Sequence, residues 1–514
     1  MKRLLCILAA MLMIVSVLSG CTSDKKNQSS AAPTEGDSKG VLTPVGNGEH
    51  LEFNLMTWSN RPIWPKFDNN TMLKGIEEKF NVKLNVQVVT TNYNEKINMM
   101  TVGDELPDAW VSTLLWDTEK KMANDGYMLC LDDYMDKLSN WTEVRGQGQL
   151  DELKIGGKLY CLPTVDTPNQ CGPMIRKDWL DNLGLQIPKT LSDLDVILEK
   201  FTTGDPDGDG KDDTFGGQLF SGGLQWSVFG LIMGAHDAYF DMWYNDNGKM
   251  NFGIVRDEFK EAIKYTRKHI LAGNISTKNF DVTSGNQIQA LSFADEVGVT
   301  NYAYQIMADT SPDYQKLKEL TGGKANFVAF EPLTGPNGKQ GVINATSPRS
   351  DNRLYFNSKI KNPERLMEVI NWIMSEEGAG YVQYGLEGKQ YDVVDGYVKM
   401  KEPYNDSINL YKEGFDEQFM LFGMRTLWGT HLGQPSLDGA EIIKKHLVKY
   451  PVYNVDIPEY GDNGPNYNQY AIQFISDALT KKDINLDAAF ETLKTKMMEA
   501  GLDKVTAGAN KIAN

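Results

Sequence analysis

Strand, helix and strand succeed one another within about forty residues near the start of the folded region, and this order constrains the chain more than any other feature. "LEFNLMTW" (Leu51 to Trp58) alternates apolar and polar residues as a half-buried strand does. A helical pattern follows over Thr71 to Phe80, and "VKLNVQVV" (Val82 to Val89) returns to strand spacing. Two strands joined by a helical crossover lie parallel, so the spacing predicts an α/β unit. At 514 residues the chain exceeds one ordinary core, and two lobes are expected.

The middle of the chain uses the same vocabulary. "MLCLDDYMDKL" reads as a strand end running into a helix. "IRKDWLDNLGLQIPKTLSDLDVILEKF" predicts a helix stopped at Gly184, a break at Pro188 and a second helix from near Ser192. "WYNDNGKMNFGIV" places Asn-Gly between short alternating runs, a tight hairpin. Phe259, Ala262, Ile263 and Ile270 recur at helical spacing up to a stop at Gly273. Leu366, Val369, Ile370 and Ile373 form one stripe of a helix opened by Pro363.

Residues 1–20 stand apart. Lys2 and Arg3 precede an apolar run, Leu4 to Leu18, which ends in "LSGC". That pattern predicts a secretory signal, and a cysteine directly after the small residues resembles a lipoprotein lipobox. Cleavage before Cys21 and diacylation of its thiol are expected, with residues 21–50, poor in apolar side chains, as a flexible tether and residues 51–514 as the folded body. The apolar run is short for a spanning helix. Loss of Lys2 and Arg3 takes the net charge from −17 to −19, which argues against nucleic acid as a partner. Beyond Cys6 and Cys21 only Cys130, Cys161 and Cys171 remain, no disulfide framework. Cys130 and Cys161 read as buried strand residues, and a Cys161–Cys171 pair stays open.

The sequence holds no GxSxG elbow, HExxH pair, GxxxxGK[ST] loop or glycine fingerprint after a strand. Five scattered histidines lack ligand spacing. Glycosidases need only two carboxylates, so that chemistry stays as the enzyme alternative. "GDPDGDGKDDTFGG" is the most charged loop. Asp205, Asp207, Asp209, Lys211 and Asp213 occupy positions 1, 3, 5, 7 and 9 of a calcium loop, with Gly210 at position 6 and Gly216 where an EF-hand carries its bidentate Glu. Crowded carboxylates repel unless a cation binds them, so a structural calcium is expected there.

Taken together, the lipobox, the "DPDGDGKDDTFG" loop, "IRKDWLDNLGLQIPKTLSDL", "NGKMNFGIVRDEFKEAIKYTRKHILAGNI" and "YGLEGKQYDVVDG" resemble the bacterial extracellular solute-binding proteins of family 1, in particular the long lipoproteins that serve carbohydrate ABC importers. The resemblance implies a two-lobed, periplasmic-binding-protein-like α/β fold with hinge crossings and a ligand cleft between lobes. It also implies a lipid-anchored monomer at the extracellular face of the membrane that passes an oligosaccharide to permease subunits and catalyses nothing. Relatives that bind alginate oligosaccharides hold a structural calcium in the matching loop; an acidic residue there follows the position of Asp213, where this chain has Thr214. Sugars stack their C–H faces on aromatic rings. Trp58 and Trp116 are placed at strand ends, Tyr302 at a strand end of the far lobe, and Trp226, Trp243 and Trp428 in polar, loop-like settings. These six are the candidate sugar-binding residues, whereas Trp179 and Trp372 fit helical core patterns. A lipid-anchored glycoside hydrolase, and a surface sensor or adhesion lipoprotein of the same fold, are the competing functions.

Overall fold

The computed structural model describes residues 42–513 except 46–47, 59–69, 90, 115, 165–170, 308–310, 337, 344–348, 350–351, 395, 406, 416–422, 424, 426–432, 449–450 and 455–456. Along the chain, β1 (Leu51–Trp58), α1 (Thr71–Phe80), β2 (Val82–Val89), α2 (Tyr93–Gly103), β3 (Ala109–Ser112), α3 (Trp116–Asn124) and β4 (Cys161–Pro163) come first. There follow β5 (Cys171–Arg176), α4 (Lys177–Leu183), α5 (Leu191–Thr203), β6 (Trp243–Asp246), β7 (Lys249–Phe252), α6 (Asp257–Leu271), β8 (Val299–Ala303) and β9 (Phe327–Ala329). The elements β10 (Arg353–Phe356), α7 (Pro363–Ile373), α8 (Gly433–His446) and α9 (Pro458–Thr480) lie further on.

Two sheets organise these elements. One runs β2-β1-β3-β10-β4, with β1 parallel to both β2 and β3 and β10 antiparallel to β3 and β4. The other runs β8-β5-β9, antiparallel throughout. Each has its own core. Phe53, Leu84, Trp110, Leu354 and Ile370 belong to the first, and Leu198, Phe229, Phe259 and Ile475 to the second. This is the two-lobed α/β architecture expected from length and pattern.

Local chemistry sets the boundaries. Asn70 caps α1 by accepting the Leu73 amide at 2.9 Å, and Asn81, in the left-handed region at φ 52°, ends it. Gly184 (φ 66°) ends α4, and Thr190 and Asp193 open α5 with a reciprocal capping box. Asn247 and Gly248, both at positive φ, turn β6 into β7. The strand expected to run into a helix near Met128 is instead a single bridge to Asn357 followed by a 3-10 helix, Asp132–Lys137. The Asp132 carboxylate accepts the Leu159 amide at 3.1 Å and turns the chain there. Cys130 is half-buried and outside any strand, Cys161 and Cys171 are buried in β4 and β5, and all three are free thiols.

The end of the expected tether is held against the first lobe. The Val45 amide donates to Lys79 O at 2.7 Å, and Asn81 Nδ2 donates to Gly48 O at 2.8 Å. Nearby, β2 forms the outer edge of its sheet, and Glu77 accepts the Leu84 amide at 2.9 Å while pairing with Lys83 at 3.0 Å. No described helix is long and apolar enough to cross a membrane.

Candidate functional site

Among the described residues the chain changes from one sheet's side to the other's three times. It leaves the first after Thr164 and enters the second at Cys171, returns between Ile343 and Asn352, and crosses again between Arg425 and Gly433. Strand register shows which edge these passages use. Arg353 lies opposite both Ser112 and Pro163, so β3 and β4 end where β10 begins, and β1 runs parallel to β3 toward the same edge. In the second sheet Tyr302 lies opposite Gly172, where β5 starts and β8 finishes.

Two of the six aromatic candidates, Trp58 and Tyr302, sit on these edges, and Trp116 and Trp226 lie on helices. Trp58 closes β1, half-buried, and its indole N–H donates to Asn352 Oδ1 at 2.9 Å. Trp116 opens α3, with the Arg349 guanidinium 4.8 Å from its ring centre. Trp226 closes a short 3-10 helix, Ser221–Trp226, and meets Tyr302 edge to face with ring centres 6.2 Å apart. Asn301 Nδ2 fastens that helix to β8 through Gln225 O at 2.6 Å. Trp243 behaves differently. It begins β6 rather than a loop, is 0 % exposed, packs on Phe252 at 5.0 Å and donates to Asn454 Oδ1 at 2.8 Å. A ring closed on both faces has no surface left for a sugar. Trp428 lies outside the described residues. Trp179 is fully buried, as its helical pattern predicts, and Trp372 packs against Phe80 under the Lys79 ammonium.

Beneath Trp116 lies a cluster that sequence reading missed. Glu119 and Arg353, both 0 % exposed, pair at 2.8 Å. Tyr355 Oη donates to Glu119 at 3.2 Å, and the Cys161 thiol stands 3.0 Å from its other oxygen. Burial, with the Glu119 carboxylate adjacent, pushes the Cys161 thiol well up, so it stays a neutral donor. Arg353 also donates to Arg349 O at 2.6 Å and Leu114 O at 2.7 Å, fixing the root of the second passage. At the first passage Arg145 takes the carbonyls of Pro163 and Thr164, both at 3.1 Å. Residues this far apart leave no local pattern; a lone Arg in the apolar run "RLYF" was the one available hint.

The aspartate loop lies on the other lobe, between α5 and the strand Gly217–Gln218. Carboxylate oxygens of Asp205, Asp207 and Asp209 all fall within 4.8 Å of one another. Both oxygens of Asp205 accept the Gly210 amide at 3.2 Å, which curls the loop, and Lys211 pairs with Asp209. Burial, and then the Asp209 charge, hold the Asp207 carboxyl above its ordinary value. Asp213 is exposed and outside this group. Thr214 is turned inward, its hydroxyl donating to Phe201 O at 2.8 Å. A Cβ at Gly216 would come 2.5 Å from Leu198 Cα, so packing against α5 excludes the Glu that an EF-hand carries at that position.

Two α/β lobes, crossed three times and lined with aromatic faces beside the crossings, define a binding protein of the two-lobed class. The chain belongs to the bacterial extracellular solute-binding protein family, whose model matches residues 64–380. It is 26 % identical over 448 residues to Lipoprotein LipO of Bacillus subtilis, covering 85 % of this chain and 84 % of that protein. A second relative is the fructooligosaccharide ABC transporter substrate-binding protein FusA of Streptococcus pneumoniae, 27 % identical over 349 residues, 64 % of this chain and 60 % of that one. The structure of FusA in complex with kestose aligns over 90 % of this chain and 98 % of its own, at 20 % identity and a TM-score of 0.65. The alginate-binding protein AlgQ2, solved without calcium ion, aligns over 90 % and 98 %, at 18 % identity and a TM-score of 0.63.

Proposed function

We propose that this protein captures an oligosaccharide between its lobes and delivers it to the permease subunits of an ABC importer, breaking no bond. The observation that carries this reading is the set of half-buried aromatic faces beside the crossings: Trp58 and Trp116 on one lobe, Trp226 and Tyr302 on the other. Stacking on apolar sugar faces supplies affinity, and hydrogen bonds to hydroxyls supply specificity. Ligand that touches both lobes favours the closed form and shifts the population toward it. The kinship with FusA, named for fructooligosaccharide, supports the ligand class. A melting-temperature screen across glycans, with kestose and alginate oligosaccharides included, tests it, because a ligand bound only by the folded state raises stability. A reducing-sugar assay on every hit separates binding from hydrolysis. If no glycan raises the melting temperature, or if one is cleaved, the reading falls.

The same reading includes residues 1–20 as a cleaved signal, Cys21 as the lipidated N-terminus, and residues 51–514 as a monomeric body held at the outer face of the membrane. The kinship with a protein named lipoprotein supports the anchor. Replacing Cys21 with Ala should move the protein from the membrane fraction into the medium. It also includes a structural calcium on Asp205, Asp207 and Asp209, with the Lys211 carbonyl as a further donor; Asp213, which lies outside that group, would join only if the loop turned it toward the ion. Hard oxygen donors within 4.8 Å of one another suit that ion. Bound there, calcium would neutralise the loop and hold it against α5; it has no part in ligand chemistry.

A further inference from the structure

We propose that Asn352 is a positioning residue that ties the orientation of Trp58 to Thr164 and Arg353, the described residues that flank the first and second passages. The proposal rests on the reading of Trp58 as a sugar-facing ring. Asn352 makes two separate attachments. An indole N–H is a donor only, so the Asn352 amide must present its oxygen to Trp58, at 2.9 Å. The backbone carbonyl of the same residue accepts both the amide and the hydroxyl of Thr164, each at 3.1 Å.

Neither attachment is free to slip. Thr164 is 0 % exposed, so its hydroxyl has no water to take in exchange. Its own carbonyl is held by Arg145 at 3.1 Å. Gly423, just before the third passage, presses on it so closely that a Cβ there would stand 3.0 Å from Thr164 O. On the other side, Arg353 is locked by the buried Glu119 pair. Asn352 thus stands between two fixed residues at the roots of two passages. A displacement of Thr164 or Arg353 moves the Asn352 backbone, and the side chain carries that displacement to an indole 294 residues away in sequence. This is a contiguous path of hydrogen bonds, the kind of network through which coupling can travel, and the variants below test whether it does.

The test needs no ligand. In the full chain with 15N-labelled tryptophan, the Trp58 indole resonance is identified by its loss in Trp58→Phe. Thr164→Val touches no atom of Trp58 yet removes the hydroxyl bond to Asn352; it should shift that resonance and leave the other indoles in place. Asn352→Ala should speed exchange of the Trp58 indole proton by roughly fivefold, the usual worth of one hydrogen bond. Asn352→Asp, which keeps an oxygen acceptor, should restore the wild-type rate. In uniformly 15N-labelled protein the same path runs the other way, so Trp58→Phe should in turn shift the Thr164 amide, which covers the case in which Thr164→Val folds poorly. An unmoved Trp58 resonance in Thr164→Val at wild-type melting temperature, an unmoved Thr164 amide in Trp58→Phe, or unchanged exchange in Asn352→Ala would overturn the proposal. A failed glycan screen would leave all these signals intact, so the two failures are distinguishable.

Discussion

Two charged constellations among the described residues handle charge in opposite ways. Glu119 and Arg353 are opposite in sign, 234 residues apart and wholly buried. Asp205, Asp207 and Asp209 are alike in sign, adjacent in sequence and largely exposed. In the first case the protein supplies every partner: Tyr355, Cys161 and two backbone carbonyls complete the pair. In the second it supplies amides and one ammonium and leaves the remaining charge to solvent or to a cation. A buried pair depends on its own members, and an exposed cluster depends on what the solution contains.

The sharpest way to break that contrast is to remove one member of the buried pair. Glu119→Gln should cost about 3–5 kcal/mol, because it strands a buried guanidinium. A urea titration that returned less than about 1 kcal/mol would mean the pair is reorganised or hydrated, against the general cost of an uncompensated buried charge. Next in size is calcium. At a hundredfold excess over its dissociation constant it should add about 2.7 kcal/mol of stability, visible as a melting shift reversed by chelator. Asp207→Asn should abolish the shift, and its survival would place the ion elsewhere. Smaller again is the net cost left in Glu119→Leu combined with Arg353→Met, which should recover most of the loss seen in Glu119→Gln, since removing both charges removes the desolvation penalty as well. Failure to recover would show that the carbonyl bonds of Arg353, not the pair, dominate.

The last two effects are slight. With chelator present, Asp207 titrates above its ordinary value. A raised folded-state value favours the protonated folded form, so this contribution is full at low pH and is lost as pH rises through the carboxylate range. Asp207→Asn should flatten that slope in melting curves taken from acid to neutral pH. Lys211→Ala, which removes the ammonium that competes for Asp209, should tighten calcium binding by isothermal titration. Weaker binding would mean the lysine organises the loop rather than blocking it.

The same contrast explains what could be read from the sequence. Features whose cause lies within a few residues were legible. Gly184 and the Asn247–Gly248 turn sit where their chemistry predicts, and β1, α1 and β2 have the expected bounds. The clustering of Asp205, Asp207 and Asp209 was legible because their oxygens are local, while Asp213, expected with them, stands apart. Features made by distant residues were not. Trp243 sits among polar neighbours in sequence, yet folding brings Phe252 and Asn454 onto it. Asn352, Thr164, Glu119 and Arg353 carry no motif, because their partners come from other strands and passages. Trp58 could be placed at a strand end, whereas Trp116, expected at one, opens a helix after β3 has stopped at Ser112, and what orients either ring was not legible.

The blunted edge of the first sheet bears on how the protein behaves beside its own copies. An outermost strand with unsatisfied N–H groups is a template onto which another chain can add, and from which sheets grow into aggregates. Along β2 the Leu84 amide is already taken by the Glu77 carboxylate, and Lys83 is drawn to the same group. A second molecule approaching this edge must displace a charge-assisted bond to gain an ordinary one. If the two edges met as equals, each would also bring its own Glu77 toward the other, like charge against like. One side chain on α1 thereby guards the open flank of the sheet against polymerisation, at crowding that would otherwise favour it.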